Sequence, residues 1–285
     1  KGFSFISNNR LNHARFDKYF LTSGAFESFR ILLNSGLLNR ENVSFSDHLS
    51  KKMFEIKGST KIGEDDFAFK VNNTSLVTKR IIGEINNISF YFNPKFNDHF
   101  PFFQNLKSLL FKREFSVKLV KSVIADVPSF AAFLWSVFVK KRVYTYQNKW
   151  FVDIDIENPT TASDIRLSSS LDAYGERALD LTFEKSKEVD ELYRQIKEMM
   201  LEYLKKNNVN YTEIEDDVKV TKTEDTYHPY GMLGNLVSAD EYFNLFNNLL
   251  VVNTGILPRA GGINTAAAVF PIIEEYFSHM ANNKN

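Results

Sequence analysis

Near each end of the chain a short apolar strand runs into a glycine turn and then a helix, and this order restricts the available folds more than any other feature. At the start, residues 15–21 read as a strand, Thr22-Ser-Gly-Ala25 breaks it, and residues 25–33 carry Phe26, Phe29, Leu32 and Leu33 at helical spacing. Asn34-Ser-Gly36 is the expected helix stop, since glycine takes the left-handed conformation without strain. Toward the end, residues 249–252 read as a strand, a Gly-rich bend follows, and residues 265–280 read as a terminal helix. Polar groups crowded where a strand gives way to a helix mark a usual ligand position in α/β proteins. Unpaired helix N–H groups and close backbone approach are both available there.

Between these ends the pattern is richer in sheet. Residues 51–57, 66–71, 80–84 and 88–92 read as strands, then residues 101–141 place apolar side chains three and four apart, which predicts three short helices, the last opened by Asp126-Val-Pro128. Residues 143–156 form the clearest strand region, residues 166–168 and 179–183 add two more about the Asp172-Ala-Tyr-Gly175 turn, and residues 218–221 a last short one. Ser186 caps a long amphipathic helix to Lys206, with Val189, Leu192, Ile196, Met199, Met200, Tyr203 and Leu204 as its apolar stripe. The order predicts an α+β protein. An antiparallel-sheet domain with helices, residues 51–222, is inserted between residues 1–50 and 223–285, which pack together.

Composition removes several classes of function. The 285 residues are 44% hydrophobic and 25% charged, and 35 basic residues balance 35 acidic ones, so the excess positive charge of a non-specific nucleic-acid binder is missing. Without cysteine there is no disulfide, Cys-ligated zinc, iron–sulfur cluster or thiolate catalysis. The longest apolar run, residues 127–139, contains Pro128 and serines and is too short to span a bilayer, so the expectation is a cytoplasmic protein with no membrane span.

The five histidines, His13, His48, His99, His228 and His279, include no pair at metal-binding helical spacing, and no metal is expected. Gly-x-Ser-x-Gly, a Gly-rich loop ending in Lys-Ser/Thr, and Gly-x-Gly-x-x-Gly are all absent. His228 lies between Tyr227 and Pro229, where proline restricts the preceding backbone. A neutral imidazole can take a proton from an alcohol, which suits general-base work, and an ordinary structural histidine remains the competing reading.

Tyr227-His228-Pro229-Tyr230-Gly231 and the later stretch 250–265, ending Arg259-Ala-Gly-Gly-Ile-Asn264-Thr265, resemble the C-terminal half of the glucose–methanol–choline (GMC) family of flavin-dependent oxidoreductases. Residues 19–36 resemble that family's strand–Gly-Ala–helix segment beside the flavin, and Ser46-Asp-His-Leu49 the Asp-His that follows it. The resemblance implies a Rossmann-like FAD-binding domain, with His228 as the base for a substrate hydroxyl and Asn264 as a hydrogen-bond partner of the same oxygen. It also implies FAD contacts from Gly24, Ala25, Asn253, Thr254, Gly255 and Thr265. Asn253 stands where the family usually has Asp, and Met232-Leu-Gly-Asn235 replaces the usual Thr-x-Arg-Met-Gly.

The family's N-terminal βαβ unit, whose Gly-x-Gly-x-x-Gly cradles the pyrophosphate, is not in this sequence. The resemblance therefore implies oxidation of a CH–OH group, a sugar or other polyol being one substrate class, with the missing FAD-binding segment preceding this one or supplied by a complementary chain. Trp135 and Trp150 are candidates for stacking on a sugar. The alternative left open is a catalytically inactive fragment or degenerate relative that binds a ligand or a partner.

Overall fold

The computed structural model describes residues 2–8, 10–57, 69–72, 75–78, 80–95, 100–111, 115–141, 145–159, 163–214, 224–225, 228–233, 248–262 and 265–282. The expected strand at 218–221 and the start of the expected strands at 66–71 and 143–156 lie outside the described residues. The protein is α+β with mainly antiparallel sheets.

The chain opens with β1 (Phe3–Ser7), β2 (Arg10–Ala14), β3 (Tyr19–Leu21), α1 (Ala25–Asn34) and β4 (Asn42–Ser44). It continues through β5 (His48–Lys57), β6 (Phe69–Asn72), β7 (Ser75–Thr78), β8 (Ile81–Ile85) and β9 (Ile88–Lys95). Then come α2 (Pro101–Leu110), α3 (Val117–Ala125) and α4 (Val127–Leu134), the last running into a π-helical turn, Trp135–Val139. After β10 (Lys149–Glu157) follow β11 (Asp164–Leu171), β12 (Arg177–Thr182), α5 (Lys187–Lys206), β13 (Tyr211–Glu213) and β14 (Glu224–Asp225). β15 (Leu249–Val251), a 3₁₀ turn at Thr254–Ile256 and α6 (Thr265–Asn282) complete it. Among the described residues no single helix is long and apolar enough to cross a membrane.

Of the strand expected at 15–21 only Tyr19–Leu21 forms, and residues 15–18 make a bend between β2 and β3. Asn8, at φ 51°, turns β1 back on β2 in an antiparallel hairpin. The bend is then held by the Tyr19 hydroxyl, which accepts from the Phe16 N–H at 2.8 Å and donates to the Ala14 carbonyl at 3.3 Å. A side chain that satisfies backbone groups in this way replaces the ladder they would need in a continuous strand.

Two compact units emerge: Lys1–Leu49, Glu157–Lys187 and Asp225–Asn285 form the first, and Ser50–Ile156 with Glu188–Glu224 the second. The cuts near residues 50 and 224 fall beside the expected ones, but Glu157–Lys187 groups with the chain ends rather than with the middle. The cause is strand pairing: β11 lies between β12 and β4, with Ile165 opposite both Val43 and Leu181.

In the first unit, α1 buries Phe29, Leu32 and Leu33 in a core with Leu21, Val43, Ile165, Leu250 and Val251. α1 stops as expected. Gly36 is left-handed at φ 64°, and the N–H groups of Gly36 and Leu37 bond the carbonyls of Leu33 and Leu32. Arg30 on α1 reaches the β11–β12 turn, donating to Asp172 Oδ2 at 3.0 Å. The other Asp172 oxygen accepts the N–H groups of Tyr174 and Glu176.

In the second unit the main sheet has the order β13-β5-β10-β9-β8. β9 and β10 are buried almost throughout, as strands covered on both faces are. α5 buries Val189, Leu192, Tyr193, Ile196, Met200 and Leu204, and Tyr193 receives Lys51 of β5 at 4.6 Å. Met199, placed on the stripe from sequence, is instead 53% exposed.

The backbone N–H groups of Tyr174 and Glu176, then Arg30, hold the Asp172 carboxyl below its ordinary value of 3.8. A depressed carboxylate stabilises the fold above its unfolded pKa, and the contribution is lost as pH falls through the folded value. Asp172→Ala is therefore expected to lower the urea midpoint at neutral pH, and the gap from wild type should narrow as melts are taken to pH values below the ordinary carboxylate range.

Candidate functional site

The first unit brings the two ends of the sequence together through a parallel pair, with Tyr19, Phe20 and Leu21 of β3 opposite Leu249, Leu250 and Val251 of β15. Because the strands are parallel, both carboxyl ends leave at the same edge. Ser23, Gly24 and Ala25 follow one strand, and Val252, Asn253 and Thr254 follow the other. The Val252 N–H bonds the Leu21 carbonyl at 2.9 Å and extends the pairing to that edge.

A cavity of about 650 Å³ opens there, lined by Gly24, Ala25 and Phe26 on one side and by Val252, Asn253 and Thr254 on the other. Phe45, Leu181, Phe183 and the α6 residues Ala266, Val269, Phe270 and Ile273 make the rest of the wall mainly apolar, while Asp47 and Pro229 close it. Gly24 caps α1 at φ 85° with no side-chain cap, and a Cβ built there would meet nothing within 4 Å. Among the described residues no side chain caps the first N–H groups of α1 at the cavity wall, where a bound group can accept from them.

Gly255 does not line the cavity. A Cβ on it would come within 3.0 Å of Asn253 Oδ1 and 3.4 Å of the Ala25 methyl, so glycine lets the two turns approach each other. The Asn253 side chain accepts from the Gly255 N–H at 2.9 Å and donates to Ser28 on α1 at 3.0 Å. It joins the turns by neutral hydrogen bonds at the position where the resembled family carries Asp. Thr265 opens α6 fully buried, and among the described residues its hydroxyl has no hydrogen-bond partner. Asn264 lies outside the described residues.

His228 is half-buried beside Pro229. Its backbone N–H donates to Asp47 Oδ2 at 3.0 Å, and the Pro229 carbonyl accepts the Thr254 hydroxyl at 2.6 Å. Both anchors line the cavity, so the histidine segment is tied to its wall at two consecutive residues. Among the described residues the His228 ring has no hydrogen-bond partner.

Behind this wall sit groups that sequence reasoning did not assign. Asp47 Oδ1 accepts the His48 N–H at 2.7 Å. His48 is buried, and its Nε2 lies 2.8 Å from the Gly261 carbonyl, which can only accept, so that nitrogen carries the proton. Buried Glu157 accepts from Arg259 at 2.6 and 3.2 Å and from the N–H groups of Ala260 and Gly261 at 3.1 and 3.3 Å. Tyr230 donates to the Asn158 carbonyl at 2.5 Å. Burial, then the nearby Glu157 charge, raises its phenol well above the ordinary value, which keeps it a neutral donor.

The Asp-His pair was visible in the sequence without its task. Glu157 followed the Asp153 and Asp155 alternation, where an acidic residue reads as one more polar position. Trp150 is buried in the second unit and Trp135 is exposed, and neither lines the cavity. Among the described residues no group of acidic and histidine side chains could hold a metal ion. No protein-family model matches the chain, and no curated protein matches it.

Glu157→Ala removes the acceptor for two loop N–H groups and a guanidinium. It is expected to cost about 2–3 kcal/mol in chemical denaturation, given that Arg259 can reach solvent. Hydrogen exchange at Ala260 and Gly261 should quicken well before exchange in α1 does.

Proposed function

We propose that this chain carries the ring-binding and substrate-binding part of an FAD-dependent, GMC-type oxidoreductase that oxidises a CH–OH group. The supporting observation is the cavity at the carboxyl ends of β3 and β15, with the His228-Pro229 segment tied to its wall by Asp47 and Thr254. Ligands of open α/β sheets bind outside the carboxyl ends of parallel strands. In this reading the first unit is the C-terminal part of a Rossmann-like domain, the second is an inserted substrate domain, and the protein works in the cytoplasm.

The residues present fit such a cofactor. Apolar walls suit a flat ring system, the start of α1 at Gly24 and Ala25 offers donors, and the buried Thr265 hydroxyl has no partner among the described residues. Asn253 and Thr254 offer polar edges, while Gly255 keeps the turns close. A bound flavin supplies the two-electron acceptor for hydride from the carbinol carbon. The pyrophosphate is assigned to a segment or companion chain outside these residues, since no Gly-x-Gly-x-x-Gly occurs among them.

Asp47 holds the His228 backbone beside the cavity, and the role proposed for the His228 ring is to accept the proton of the substrate hydroxyl on one of its nitrogens. The resemblance assigns Asn264 to the same oxygen. A sugar or other polyol is the substrate class that the reading carries. The same absent glycine motif favours a second reading, a module that binds a ligand in this cavity without redox chemistry.

The two readings separate in anaerobic stopped-flow of the full-length protein with FAD, mixed with a panel of aldoses and polyols. His228→Ala is expected to retain flavin and to slow its reduction by about 10²–10⁴-fold. A rate unchanged in His228→Ala removes the histidine from the proposed role, and flavin that no alcohol reduces supports the second reading.

A further inference from the structure

We propose that the outer face of the α2–α3–α4 helices of the second unit docks on an anionic lipid bilayer surface, lying in the interface without crossing it. The proposal is independent of the cavity and its chemistry.

α2 and α4 already pack on each other through their rings. Phe102 stacks on Phe130 with ring centres 4.2 Å apart, and Phe103 meets Phe133 edge-on at 5.3 Å. A helix of an ordinary soluble domain would be polar on the opposite side. Here the opposite side is apolar as well. On α3, Val117, Val120 and Ile124 are exposed at one-face spacing; on α4 and the π-helical turn, Val127, Leu134, Trp135 and Phe138 continue an exposed stripe. Leu110, Phe111 and Phe115 at the α2–α3 connection join them, Phe111 and Phe115 each at 78% exposure. Neither α3 nor α4 buries a residue. Exposed apolar side chains in this number on neighbouring helices point to a contact surface.

The charges around it select the occupant. Lys118 and Lys121 flank the α3 stripe, Lys140 and Lys141 follow the π-helical turn, and Lys107 lies on α2, while Asp126 is the one described carboxylate in residues 100–141. The whole chain is neutral, so this is a local concentration of positive charge. Apolar and aromatic residues on a face rimmed by lysines are what an interfacial membrane helix presents to anionic lipid. α3 and the α4–π segment are apolar enough together to pass for a membrane segment but bend by 42°, which suits lying along a surface. Trp135, at 58% exposure, has the amphipathic ring favoured at headgroup depth.

The chain carries its own probe, because its other tryptophan, Trp150, is 1% exposed. Tryptophan emission and co-sedimentation are read with vesicles of phosphatidylcholine alone and with about one-third phosphatidylglycerol. The expected result is a blue shift and sedimentation with anionic vesicles only, both weakened by salt. Trp135→Phe should lose the shift and keep most of the sedimentation. Lys118→Gln with Lys121→Gln should weaken binding roughly thirtyfold, about fivefold per charge, with an unchanged far-ultraviolet circular dichroism spectrum. Absence of binding, equal binding to both vesicles, or full binding by the double variant overturns the proposal. A shift that tracks protein concentration without vesicles also overturns it, by assigning the face to a contact between copies.

Discussion

The parallel pairing of β3 with β15 is the constraint on which the first unit depends. Each strand has three residues, too short to stand alone, and each is supported by the helix that follows it. Parallel pairing makes both strands end at one edge, so two glycine turns meet there. One consequence is a cavity whose wall is backbone and small side chains on the turn side. Another is that α1 presents its first N–H groups to that cavity, because Gly24 supplies the turn and no cap.

Two buried carboxylates convert this edge into a fixed arrangement. Asp47 holds the backbone at both His48 and His228, and Glu157 gathers Arg259, Ala260 and Gly261. A buried carboxylate needs several donors to offset its desolvation, and here the donors are the backbone of the loops that carry the candidate site. The polar network therefore sets loop geometry through the backbone of His228 and leaves its side chain out of that network.

Much of the fold was legible because periodicity reports burial. The α5 stripe, the three short helices after residue 100 and the stop at Gly36 each follow from local spacing or backbone preference. What local spacing could not carry was partnership between distant segments. β11 reads as an alternating strand, but nothing in its residues says that β4 is its neighbour, which is why 157–187 was placed in the wrong part of the chain. The Tyr19 hydroxyl, whose bonds to Phe16 and Ala14 leave β3 to begin only at residue 19, was hidden for the same reason. At the site, Gly24, Ala25, Asn253 and Thr254 were named through the resemblance, and the structure brings them to one cavity. Gly255 serves the approach of the turns instead, and Glu157 and Arg259 were unreadable because their task exists only once residues 157 and 259 are neighbours.

The central claim is that this cavity is built to hold a flavin ring. The most direct measurement is the visible absorbance of the full-length protein after FAD supplementation and removal of free cofactor, compared with Ala266→Trp, which fills the cavity from α6. The account predicts flavin bands in the wild type and their loss in the variant, with the circular dichroism spectrum preserved. A colourless wild type, or flavin retained in full by the filled cavity, would contradict it.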